Sequence, residues 1–168
     1  LARHRARLLV LAARTHSYLG EVEKAGRVAA DALAAASEAG DNWAMGWALL
    51  MMALVTSMGG RMADSLPLFD RSLAVTQSDP ALTDLQLLQQ VNKAVTLGNL
   101  DRYDEAEICF NNALAGNAQS VPDGAQADRG TSGWKAWKAL GEIALSVRKD
   151  GALAAERLVK GREGQKED

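Results

Sequence analysis

The side chains of this chain best suited to engaging a ligand are aromatic and apolar. Trp43 and Trp47 stand with all five methionines, Met45, Met51, Met52, Met58 and Met62, in one stretch from Trp43 to Met62. Indole and thioether groups build a pliable binding surface through shape and dispersion, with no acid–base chemistry of their own. Groups that do such chemistry are sparse. Cys109 is the single cysteine, which excludes an internal disulfide and makes an intracellular, cytoplasmic site the expectation. It stands beside Phe110 and near Glu107 with no base next to it, the pattern of a buried, inert thiol. His4 and His16 cannot build a metal site with the available Cys and acid spacing. His16 falls on the inward face of the first helix, and His4 lies in a basic, exposed end. No phosphate loop of the G-x4-G-K-[ST] type, no helix-turn-helix with a basic recognition helix and no nucleophile elbow is present. The expectation is a non-catalytic chain that needs no cofactor or metal and does not bind nucleic acid directly.

Stacked helices must position those side chains. Three stretches superimpose: Ala25…Ala29…Ala32-Leu33, Ser65…Phe69…Ser72-Leu73 and Ala106…Phe110…Ala113-Leu114. They recur about forty residues apart, and Ala13, Ala53 and Ala94 repeat upstream at the same spacing, followed by Gly141 after a longer gap. A fixed period of this size signals helical hairpins, in which small residues mark where two helices cross closely. The predicted pairs are Arg3–Leu19 with Glu21–Ala39, Trp43–Met58 with Met62–Gln77, and Ala81–Leu97 with Arg102–Leu114. Gly20, Gly40-Asp41-Asn42, Gly59-Gly60, Asp79-Pro80 and Gly98-Asn99-Leu100-Asp101 supply the breaks and caps. The domain expectation is three hairpins over 1–115, a polar loop or linker over 116–131, and a C-terminal capping hairpin with a charged tail over 132–168. The fold class expected is all-α, a right-handed superhelix of antiparallel helix pairs.

The 168 residues carry a net charge of −2, which makes no global case for a nucleic acid or membrane partner. Acids dominate from Asp41 to Asp128, and Arg3, Arg5 and Arg7 offset them, an asymmetry that suits a basic partner or simply a solvated helix face. The longest apolar stretch, Trp43 to Met58, is too short to span a bilayer, and no signal peptide is visible. Starting at Leu1 without an initiator Met, the chain reads as a segment of something longer.

Residues 100–106, Leu-Asp-Arg-Tyr-Asp-Glu-Ala, followed by Phe110 and Ala113-Leu114, resemble the second half of the tetratricopeptide motif. Trp137-x2-Leu140-Gly141-x2-Ala144 resembles the first half, with Ala where Tyr is common. The period near forty exceeds the usual thirty-four, so the helices are longer. The linker Glu38 to Asp41 and the phrase from Asp79-Pro80 to Arg102-Tyr103 resemble the helical-repeat sensor region of large ATP-binding LuxR-type (MalT-like) regulators of actinobacteria. That resemblance implies a segment between an NTPase module and a DNA-binding module that binds an inducer or a protein. Some tetratricopeptide domains grip a peptide carboxylate with a polar clamp. The equivalent positions here are Val10, Arg14, Met51, Leu88 and Asn92, which keep only part of that polarity and disfavour such an adaptor.

The binding residues expected are Val10, Arg14, Trp47, Leu50, Leu54, Val91 and Val95, lining an inner groove for an apolar inducer, a peptide or a partner helix. The competing reading is a scaffold or homodimerisation module in which the same surface is permanently buried, with Trp134 and Trp137 among the residues able to cover it. A small enzyme on helical repeats stands third. The register itself makes a prediction. Ala106→Leu overpacks its helix crossing and destabilises the chain by about 1–3 kcal/mol, read by urea unfolding.

Overall fold

The computed structural model describes residues 1–120 and 131–165, with side chains over 1–116 and 136–163. Every regular element among the described residues is helical. The helices are α1 (Ala2–Tyr18), α2 (Val22–Ala39), α3 (Asn42–Met58), α4 (Met62–Thr76), α5 (Thr83–Asn99), α6 (Tyr103–Ser120), α7 (Thr131–Ser146) and α8 (Gly151–Gln165), with a single 3-10 turn at Pro80–Leu82. Two compact units divide the chain, Leu1–Leu85 and Gln86–Asp168.

In the first unit α1 packs on α2, α2 on α3, and α3 on α4. The stops are local and repeat every twenty residues. Gly20, Gly40 and Gly60 have φ of 76°, 60° and 82°, a region that costs a side chain energy and costs glycine none. Around each, the following N–H reaches back to close the helix end: Glu21 to His16 O at 2.9 Å, Asp41 to Ala36 O at 3.0 Å and Arg61 to Thr56 O at 3.1 Å. These are the six-residue closures that satisfy a helix's last carbonyls. Starts are marked as well. Asp41 caps α3 by accepting the Ala44 N–H at 3.2 Å, and Asp79 accepts the Ala81 N–H at 2.9 Å ahead of Pro80.

The small-residue register lies in the interior. Ala25, Ala29, Ala32, Ser65, Phe69 and Ser72 are all buried, as are Ala13 and Ala53. Serine serves at two of these positions because a local or facing carbonyl accepts its hydrogen bond: Ser65 Oγ donates to Met62 O, and Ser72 Oγ donates to Gly46 O of α3, both at 2.7 Å. An unpaired hydroxyl there would cost more than the alanine it replaces.

The second unit repeats the logic with different residues. Asp101 takes the left-handed position after α5 at φ 58°, and Arg102 N–H closes onto Leu97 O at 2.9 Å. Ala94, Ala106, Phe110 and Ala113 are buried. α6 differs from its sequence-predicted extent by continuing past Leu114 to Ser120, so helix enters the stretch expected to be a linker, and α7 begins at Thr131. The reason is visible at Gly116, where an added Cβ would lie 3.0 Å from Leu87 Cδ2. That glycine allows α6 to approach α5 closely and does not end the helix. The remainder of the expected linker, 121–130, lies outside the described residues, as does the Trp134 side chain. α8 likewise runs beyond its predicted end at Val159 to Gln165.

Among the described glycines, Gly141 carries the closest helix approach. A Cβ there would stand 2.7 Å from Leu158 Cγ and 3.2 Å from Leu158 N. Gly98 in α5 has nothing within 4 Å of the same atom. Gly141→Ala should therefore lose about 1 kcal/mol or more through overpacking, whereas Gly98→Ala should gain up to about 1 kcal/mol from reduced unfolded-state entropy. Urea denaturation of the two variants checks the opposite signs.

Candidate functional site

The most elaborate side-chain arrangement of the first unit joins α1 to α3, which pack against each other. Arg7 and Arg14 are seven residues apart and so share one face of α1, about 10.5 Å apart along its axis. Trp43 and Trp47, four apart, share one face of α3. The four form a ladder: the Arg7 guanidinium lies 5.1 Å from the Trp43 ring centre, the Arg14 guanidinium 4.3 Å from the Trp47 ring centre, and the two rings are 6.2 Å apart at 55°. Stacking of this kind contributes roughly 0.5–1 kcal/mol at exposed sites and more where water is excluded.

The two ends of the ladder differ electrically. Arg7 Nε donates to Asp41 Oδ2 at 2.7 Å and its Nη2 to Oδ1 at 3.3 Å, while Arg3 Nε stands 3.6 Å from Oδ2. Asp41 is 3% exposed. Burial alone would push its pKa up; the Arg7 hydrogen bonds, the Ala44 N–H and the charges of Arg7 and Arg3 outweigh it and hold the carboxyl below its usual range. Arg14, half-buried over Trp47, has no carboxylate partner among the described residues. Beside the Asp41 end opens a cleft of about 330 Å³, lined by Arg3, Arg7, Asp41, Trp43, Asp79 and Leu82.

The expected groove residues are distributed unevenly. Val10 has no exposed surface and sits among Ala6, Ala32, Ala35, Ala36, Ala44 and Ala48, with Trp47 packed against this cluster. Leu50 is also fully buried. Leu54 is half-buried against Ala13, Ala29 and Met51. Arg14 and Trp47 are brought into direct contact. Val91, buried, and Val95, 47% exposed, lie on α5 within the second unit. The expected groove residues left out Arg7, Trp43 and Asp41. One signal was available: at the forty-residue offset Arg7 coincides with Trp47 and Arg3 with Trp43, so the arginines and tryptophans occupy one register on successive hairpins.

Elsewhere the charged groups brace helices. His16 Nδ1 and Glu21 Oε2 meet at 2.6 Å across the α1–α2 turn. In the second unit Arg148 pairs with Asp104, and Glu107 takes Arg148 at 3.6 Å and Arg157 at 3.5 Å. Arg157 Nη1 also donates to Leu140 O at 3.1 Å, and the Lys160 ammonium lies 4.5 Å from the Trp137 ring centre. Cys109 is buried and forms no disulfide. Among the described residues no group of three or more His, Cys, Asp or Glu is placed to hold a metal ion, and no helix is long and apolar enough to cross a membrane.

No family model and no curated protein matches the chain. Solved structures do. The chain is similar to BtubC (BKLC) from P. vanneervenii, with a TM-score of 0.74 at 18% identity over 92% of this chain and 61% of that one. It is also similar to a MamA protein (RS-1 ArsTM double mutant), with a TM-score of 0.53 at 18% identity over 97% of this chain and 96% of that one. The chain thus spans about three fifths of the length of BtubC. These likenesses show the fold: an all-α, tetratricopeptide-like helical repeat.

The depressed Asp41 pKa gives the site a pH signature. A carboxyl held low in the folded state contributes stability above its unfolded pKa of about 4, and that contribution is lost as pH falls through the folded value. Asp41→Ala should cost about 1–3 kcal/mol at neutral pH through the lost cap and ion pair. Asp41→Asn keeps a capping oxygen and should fall between. Thermal melts from neutral to acid pH should show both gaps closing towards the acid limit.

Proposed function

We propose that this chain is a non-catalytic protein-interaction module that receives an acidic, partly apolar partner segment on the α1–α3 face of its first unit. The observation that carries this reading is Arg14. Its guanidinium lies over the Trp47 ring, half-buried, with no carboxylate partner among the described residues. Such an arginine is already oriented and partly desolvated, so an incoming carboxylate gains a bidentate, charge-assisted contact at small entropic cost. Trp47 supplies the adjoining apolar contact, and Arg7, already neutralised by Asp41, stiffens the other end of the ladder. The helical-repeat fold is in keeping with this role, and a catalytic reading finds no convergent acid–base pair at the ladder.

A place in the sensor region of a large LuxR-type regulator is the finer proposal, supported by the sequence phrase from Asp79 to Tyr103. The parent sequence tests it: flanking NTPase and DNA-binding modules support that placement, and their absence removes it. In that setting an apolar inducer would compete for the Trp47 surface. A cytoplasmic location belongs to the same proposal.

The binding face is tested with two amphipathic peptides of equal length, one alternating Glu with Leu and the other Lys with Leu. The acidic peptide should quench or shift the Trp47 emission and weaken with salt; the basic peptide should not. Arg14→Glu should lose at least tenfold in affinity for the acidic peptide, and Trp47→Phe should remove the optical signal. Equal response to both peptides, or to neither, counts against the proposal.

A further inference from the structure

The cleft at the Asp41 end of the ladder offers chemistry that the ladder does not use. Three stretches of the first unit wall it: α1 with Arg3 and Arg7, the α2–α3 corner with Asp41 and Trp43, and the turn from α4 into Pro80–Leu82 with Asp79 and Leu82. At about 330 Å³ it lies at the small end of ligand pockets, with room for a metabolite and none for a helix.

Its charges do not cancel wall by wall. On α1, two guanidiniums share one carboxylate. Arg7 commits one N–H on Nε and one on Nη2 to Asp41, and its remaining donors have no acceptor among the described residues. Arg3 reaches the same carboxylate only at 3.6 Å and makes no hydrogen bond among the described residues. Asp41 is itself enclosed, holding both Arg7 contacts and the Ala44 N–H. That wall therefore presents an excess positive charge with donors unfilled. Asp79 brings the opposite sign on another wall. It is half-buried, and its Oδ1 accepts the Ala81 N–H at 2.9 Å. A carboxylate has about four acceptor sites, so Asp79 can take a further donor. The Trp43 indole and Leu82 make the apolar lining.

The formal charges of Arg3, Arg7, Asp41 and Asp79 sum to zero. A lone anion would meet Asp79, and a lone cation would meet the excess guanidinium. A ligand that carries both charges satisfies both walls, and buried charges are stable only when paired. We infer that the cleft is a binding site for a small zwitterion, an α-amino acid with an apolar side chain. Its carboxylate would take charge-assisted hydrogen bonds from Arg3 and the unfilled edge of Arg7, its ammonium would donate to Asp79, and its side chain would lie against Trp43 and Leu82. The site needs neither Arg14 nor an acidic partner segment, so it stands or falls independently of the binding face proposed above.

The test is an NMR titration of the full chain with L-phenylalanine and with two analogues that each lack one charge, phenethylamine and 3-phenylpropionate. L-Phenylalanine should shift the Trp43 indole N–H, assigned by its loss in Trp43→Phe, and should bind at least tenfold more tightly than either analogue. Arg3→Gln changes an exposed side chain, and Asp79→Asn keeps an oxygen for the Ala81 N–H, so both variants should retain the wild-type spectrum. Each should weaken L-phenylalanine about tenfold or more. Ala81→Phe, which narrows the cleft from an exposed position, should abolish binding. Arg14→Glu should leave the affinity unchanged. No shift at Trp43 up to the solubility limit of L-phenylalanine overturns the inference. So does an analogue that binds as tightly as the amino acid, or full affinity in Arg3→Gln or Asp79→Asn. Loss of binding in Arg14→Glu overturns it as well, by moving the ligand onto the ladder.

Discussion

A single carboxylate with almost no solvent around it organises the first unit. Asp41 follows the glycine that ends α2, caps the first turn of α3, and takes the guanidinium of Arg7 from α1. A charge at that depth is tolerable only when donors surround it, and here they come from two helices at once. Satisfying it leaves little freedom in how α1 lies along α3. The Arg7 stem is thereby laid across Trp43, and one turn-pair further along α1, Arg14 comes to rest on Trp47. The ladder depends on the Asp41 bridge.

The rest of the architecture is repetition with substituted parts. A left-handed residue every twenty positions cuts the first unit into helices of nearly equal length, and Asp101 does the same after α5. Small residues at fixed places let those helices cross. What changes between hairpins is the chemistry offered at each register position. The place held by Arg7 in the first hairpin is held by Trp47 in the second, which is how cation and ring come to face one another on the first helices of successive hairpins. At the register where Ala48 and Met51 are buried under α2, α1 carries the exposed Leu8 and Leu11.

How far the sequence could be read follows from the range of the forces involved. Helix ends at Gly20, Gly40, Gly60 and Asp79-Pro80 depend on backbone preferences and caps within a few residues, and they lie where the local signals put them. The end of α6 does not. Gly116 looks like a terminator in isolation, yet its missing Cβ is used against Leu87 of a different helix, so the helix runs on to Ser120. Val10 and Leu50 show the same limit from the other side. Both fit an apolar groove by helical face alone, and both are wholly enclosed by neighbours.

The amino-acid sequence by itself determined the class of this protein: an all-helical repeat, with its crossings at the alanines and serines and its main aromatic surface around Trp47. Those properties rest on helical periodicity and side-chain volume, which are local. Only the tertiary structure decided the pairing of Asp41 with Arg7 and the seating of Arg14 on Trp47. Those depend on where two helices come to rest beside each other, and the free energy that selects that arrangement is shared among residues far apart in the chain.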